Sequence, residues 1–207
     1  MLTIVKFSLT SIAIYFVIAT VLILTNRPSS TTTANEPLAF DSLTAVSYDE
    51  MPSLQPYTAR DGTQLHYRLY ESAADTDTLL ILLHGSGWHS MQFYPLAQTL
   101  SQNGIAQVIT PDLRGHGFTP KRRGDVDYIG QLEDDLADLI DTLRTTFPTA
   151  TLIIGGHSSG GGLVIRFAGS NYGQLADGYL LLAPFLKYNA PTTRPNSGGW
   201  ARPLSRR

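Results

Sequence analysis

At 207 residues and 43% hydrophobic content, the chain has room for one globular core plus a tail. A formal charge of −2, with Lys121-Arg122-Arg123 the only basic run inside the domain, argues against nucleic acid as a partner. The lack of cysteine excludes disulfides, thiolate catalysis and cysteine-ligated zinc, and the five histidines include no pair at the i, i+4 spacing of a helical zinc site, so neither a metal nor a cofactor is expected.

Residues 7–25 carry no charge and are mostly Leu, Ile, Val, Phe, Ala and Tyr, close to the about 20 that a helix needs to cross a bilayer. The run is too long for the apolar part of a cleavable signal peptide, and the nearest small-residue site, Thr32-Thr33-Ala34, lies well beyond it. It predicts a single-pass transmembrane anchor over 1–27. Lys6 and the amino terminus precede the span and Arg27 follows it, so the positive-inside rule puts the domain on the extracytoplasmic side. Residues 28–56, with Pro28, Ser29, Ser30 and the threonines 31–33, read as a polar linker.

Alternating strands on either side of Asp61-Gly62 predict a hairpin, with Leu65, Tyr67 and Leu69 inward and His66 and Arg68 on the other face. Residues 79–83 are apolar at every position, as in a parallel strand covered on both faces. A helix over 92–102 with Leu96, Ala97 and Leu100 inward leads to a strand at 106–110. The stretch 125–144 places Leu132, Leu136, Leu139, Ile140 and Leu143 on one helical face. Glu133, Asp134, Asp135, Asp138 and Asp141 fall on the others and read as a solvated acidic stripe. Strands at 151–155 and 178–184 complete an alternation that implies a mostly parallel α/β sheet with right-handed crossovers.

The strand at 151–155 runs into Gly156-His157-Ser158-Ser159-Gly160, which fits the G-x-S-x-G elbow between a strand and a helix. Glycines two before and two after the serine make room for the neighbouring helix and strand. Two further stretches accompany it: 79–83 runs into His84-Gly85-Ser86-Gly87-Trp88, and 108–110 into Pro111-Asp112-Leu113-Arg114-Gly115-His116-Gly117. With these three motifs in order, residues 57–185 resemble the α/β-hydrolase superfamily. Within it they resemble the serine-hydrolase branch of lysophospholipase-like and monoacylglycerol-lipase-like (serine aminopeptidase-type) proteins.

The resemblance implies a three-layer α/β-hydrolase sheet over 57–186 and hydrolysis of a lipid-like or small acyl ester through an acyl-enzyme on Ser158. It implies an oxyanion hole of the Ser159 and Ser86 N–H groups, with His84, Gly85 and Gly87 shaping the oxyanion loop and Gly156 and Gly160 the elbow. His84 reads as a loop organiser, His116 and Asp112 as structural, and His157 as pointing away from the serine hydroxyl. Trp88 and His89 are candidates to line a pocket. A peptidase or amidase would leave the same elbow, and a catalytically dead, membrane-tethered binding domain the same fold.

The superfamily's triad runs serine, acid, histidine in chain order. After Ser158 there is no histidine, and the only acid is Asp177, which sits before the last strand at the end away from the elbow. The sheet is therefore expected to lack its last strands, the irregular stretch 187–207 to begin a missing cap region, and the chain to be truncated and weakly active or inactive as written.

Overall fold

The computed structural model describes residues 2–25, 47–117, 120 and 122–187. The chain divides into two compact units after Ala45. Among its described residues the first contains one helix, α1 (Leu2–Thr25). Its side chains are described at Lys6, 10–22, Leu24 and Thr25, and Ile12, Phe16, Val17 and Leu22 are exposed. Among the described residues no helix is long and apolar enough to cross a membrane, so the span expected over 7–25 is not borne out by them. The part of the linker at 28–46 and the tail at 188–207 lie outside the described residues.

The second unit is a six-stranded sheet in the order β1-β2-β4-β3-β5-β6. Its strands are β1 (Gln55–Thr58), β2 (Gln64–Tyr70), β3 (Thr78–Leu83), β4 (Gln107–Asp112), β5 (Thr151–His157) and β6 (Gly178–Leu182). The hairpin β1–β2 turns at Asp61-Gly62 as its sequence predicts, and Gly62 takes the φ of +80° that such a turn asks of glycine. It pairs antiparallel with β4, and every other neighbour is parallel.

Three helices cover this sheet: α2 (Tyr94–Gln102), α3 (Gln131–Arg144) and α4 (Ser159–Ala168). Because side chains alternate along a strand, Leu79, Ile81 and Leu83 of β3 join one cluster with Leu136, Leu139, Ile140 and Leu143 of α3 and Val164 and Phe167 of α4. Leu80 and Leu82 join the other, with Tyr94 and Ala97 of α2 and Phe93 before it. Three layers result, and an all-apolar β3 is what two covered faces require.

Several local expectations are corrected. Arg68 is buried, because α2 and its leading turn cover the second face of β2; its guanidinium donates to Ser90 Oγ at 3.2 Å and to Pro52 O. Leu96 is exposed, and its inward place is taken by Tyr94 and Ser101. The acidic stripe is exposed, as expected, at Asp141, but not at its other four acids. Glu133 and Asp135 are buried, paired with Arg166 and Arg114, while Arg60 from the hairpin turn clasps Asp134 and Asp138.

Candidate active site

The chain passes from β3 to β4 on one side, then returns over β3 to β5 and β6 on the other. At such a reversal the loops leaving the two central parallel strands diverge and open a crevice at their carboxyl ends. Leu83 pairs with Gly156 in the β3–β5 ladder, so His84-Gly85-Ser86 and His157-Ser158-Ser159 emerge side by side.

Ser158 stands alone between the end of β5 and the start of α4, with φ 53° and ψ −117°. A non-glycine residue held there stores on the order of 1–3 kcal/mol of strain. Backbone bonds over-determine it. Ser158 N–H donates to Leu182 O at 3.1 Å, and Ser158 O accepts from Gly162 N at 3.1 Å and Phe185 N at 2.8 Å. The turn also forces close backbone approaches. A Cβ at Gly156 would lie 2.4 Å from Gly160 O, and one at Gly160 would lie 2.2 Å from Leu83 O.

The loop after β3 folds back on this elbow. A Cβ at Gly85 would sit 3.4 Å from Ser158 Cβ, Gly87 turns the chain with φ +75°, and Trp88 N–H donates to Gly85 O at 3.2 Å. His84 is buried. Leu113 N–H donates to its Nε2 at 3.1 Å, so the ring proton is on Nδ1 and is donated to Gly85 O at 2.9 Å. Burial above all, opposed by that bond, pulls the imidazole down to about 4, so His84 stays neutral and organises two loops. Ser86 Oγ donates to Ser159 Oγ at 2.9 Å, closing the crevice from the loop to the first residue of α4. The N–H groups of Ser86 and Ser159 make no hydrogen bond among the described residues.

The other singled-out residues lie around this centre. Asp112 accepts from Ser90 N at 2.7 Å, and Arg114 is bound by Asp135 and Asp61. His116 Nδ1 meets Arg114 O at 3.0 Å, and His157 Nδ1 meets Gln92 Nε2 at 2.7 Å, so neither contact is with Ser158. Trp88 is exposed, and His89 caps the short turn Ser90–Phe93. Asp177 accepts from Leu152 N at the opposite end of β5. No group of three His, Cys, Asp or Glu among the described residues is arranged to hold a metal. Next to Ser159 opens an apolar cleft of about 530 Å³, lined by Tyr128, Ile129, Leu163, Ile165 and Phe185 among others. Sequence reading missed Gln92, the arginine-bound acids and this cleft. No sequence motif marks the first, whose contacts arise only where β3 and β5 lie side by side.

Residues 74–207 match the family described as serine aminopeptidase, S33. Human monoglyceride lipase is 27% identical over 145 residues, covering 70% of this chain and 46% of the relative. The monoacylglycerol lipase of Mycolicibacterium smegmatis is 28% identical over 111 residues, covering 54% and 39%. The chain spans less than half the length of these curated relatives. Among solved structures, a soluble variant of the monoglyceride lipase of Saccharomyces cerevisiae in complex with a substrate analog superposes with a TM-score of 0.56 at 25% identity, over 68% of this chain and 47% of that one. The elbow, the switch-point crevice and these likenesses agree: the chain belongs to the serine aminopeptidase (S33) family of α/β-hydrolases, on its monoacylglycerol-lipase-like branch.

Proposed function

We propose that this chain carries the nucleophile and oxyanion half of a carboxylic ester hydrolase. Ser158 Oγ attacks the ester carbonyl carbon, the alcohol leaves, and water later releases the acid from the acyl-enzyme. The negative charge on the carbonyl oxygen is received by the N–H groups of Ser159 and Ser86. The observation that carries this reading is Ser158 itself, held at positive φ between a strand and a helix beside two amide donors without partners among the described residues. The apolar cleft beside Ser159 suits a lipid-like acyl chain, in keeping with relatives named as monoglyceride lipases. A peptidase or amidase is the second reading, favoured by the family's description.

No histidine follows Ser158, and the ring contacts of His84, His116 and His157 go elsewhere. A serine without a base is a weak nucleophile, so the 207-residue chain by itself is expected to show only the roughly 10³–10⁴ acceleration over water that binding and oxyanion donors supply. The test is purified protein beside Ser158→Ala on p-nitrophenyl butyrate, a monoacylglycerol and an aminoacyl amide. Weak, Ser158-dependent ester turnover is expected. Preference for the amide would favour the peptidase, equal rates in both proteins would leave a binding domain, and fast turnover would require one of the five histidines as base.

A further inference from the structure

We infer that Gln92 is a positioning residue that locks the loop after β3 to the nucleophile elbow and so sets both amide donors in one geometry; this rests on the reading of Ser158 as nucleophile. A backbone N–H only donates, so the Gln92 atom 2.7 Å from Gly85 N is the carbonyl Oε1. That fixes the amide, and Nε2 donates to His157 Nδ1 at 2.7 Å. His157 Nδ1 is therefore an acceptor, and the neutral ring carries its proton on Nε2.

Each residue that Gln92 holds stands immediately before a working group. Gly85 precedes Ser86, and His157 precedes Ser158 and Ser159. The two segments already touch, since a Cβ at Gly85 would lie 3.3 Å from His157 Nδ1, but packing alone leaves the buried Gly85 N–H without an acceptor. Gln92 is itself fixed from below. It sits in the turn Ser90–Phe93, whose Ser90 N–H donates to the buried Asp112 carboxylate at the end of β4 and whose Phe93 is buried in the α2 cluster. The side-chain amide thus ties the ends of β3 and β5, and the turn that carries it is tied in turn to the end of β4, at the point where the donors must converge. A displacement of about 1 Å there is enough to cost a large part of oxyanion stabilisation.

The test uses the 207-residue chain, with Gln92→Leu and Gln92→Glu. Nitrogen-15 shifts of the wild-type protein are expected to show His157 Nδ1 unprotonated. Gln92→Leu should speed exchange of the Gly85 amide hydrogen by about tenfold or more and move the Ser86 and Ser159 amide resonances. Gln92→Glu should keep the Gly85 amide protected, because a carboxylate oxygen still accepts, while a proton moves onto His157 Nδ1. Butylboronic acid reads the pocket without turnover: a B–O bond forms to Ser158 Oγ, the serine proton passes to solvent, and the negatively charged boronate meets the amide donors. Its affinity should fall about tenfold in Gln92→Leu and be largely restored in Gln92→Glu. A wild-type His157 protonated on Nδ1, an unchanged Gly85 exchange rate in Gln92→Leu, or equal boronate affinities would overturn the inference. If the wild-type protein takes up no butylboronic acid while the amide and imidazole signatures appear as stated, the nucleophile assignment falls and the brace stands.

Discussion

Gly160→Ala sets two effects of opposite sign against each other. Gly160 lies in the first turn of α4, where replacing glycine by alanine gains about 1 kcal/mol of helix propensity. Its added Cβ, however, would stand 2.2 Å from Leu83 O and 2.5 Å from His84 O. Close carbon–oxygen contacts settle near about 3.3 Å, so α4 and the end of β3 must separate by about 1 Å. Both groups are backbone and have no rotamer to yield, which puts the cost at or above the upper end of the about 1–3 kcal/mol of ordinary overpacking. The net expectation is a loss of at least about 2 kcal/mol. With a urea slope of about 2 kcal/mol per M, the unfolding midpoint followed by circular dichroism should fall by about 1 M. Gly169→Ala is the control: its nearest neighbour, Ile165 O, is 3.5 Å away, an ordinary contact, and stability should stay within about 1 kcal/mol. A Gly160→Ala protein as stable as the wild type, or more so, would refute the claim that the elbow is built on backbone contact.

His84 should make the fold acid-sensitive. The unfolded chain takes up its proton near pH 6.5 and the folded one only near 4, so stability falls as pH drops through that window, by up to about 3 kcal/mol, and His84→Asn should flatten the slope of midpoint against pH. Arg114→Met strands the buried Asp135 carboxylate, whose proton affinity burial already raises. It should cost about 3 kcal/mol at pH 7 and less as the pH falls and Asp135 neutralises, so a loss that grows with acidity would contradict the pairing. Leu139→Ala, at a fully buried site of α3, should cost about 2–5 kcal/mol in urea unfolding, and a loss under about 1 kcal/mol would mean that α3 is not packed on the sheet.

What could be read from the sequence was what adjacent residues determine together. The apolar run of β3 announced a strand with two covered faces, and Gly156 and Gly160 around Ser158 announced a turn that tolerates no Cβ, because both signals lie within a few consecutive positions. The acids of α3 had no such local partner. Asp138 meets Arg60 from 78 positions earlier, Asp135 meets Arg114 from 21 earlier and Glu133 meets Arg166 from 33 later, so helical periodicity alone could assign them only to solvent. Arg68 failed for a related reason: the alternation of β2 shows which residues share a face, but not that the second face is roofed by the turn Ser90–Phe93. Gln92 carries no motif at all, and its role exists only once β3 and β5 are neighbours.

That adjacency also explains why the site tolerates so little error. The ladder from Thr78 and Thr151 to Leu83 and Gly156 is parallel and unbroken, and it decides which residue of the β3 loop faces which residue of the elbow. A slip of one position would move Ser86 by about 3.3 Å relative to Ser158, more than the length of a hydrogen bond, and would turn Leu79, Ile81 and Leu83 away from α3 and α4 toward α2. The core therefore penalises any register that the site could not use. Hydrophobic packing on two faces fixes the ladder, the ladder fixes where the two loops begin, and the short-range contacts of Gly85, Gln92 and Ser159 need only refine a placement that burial of the sheet has already made.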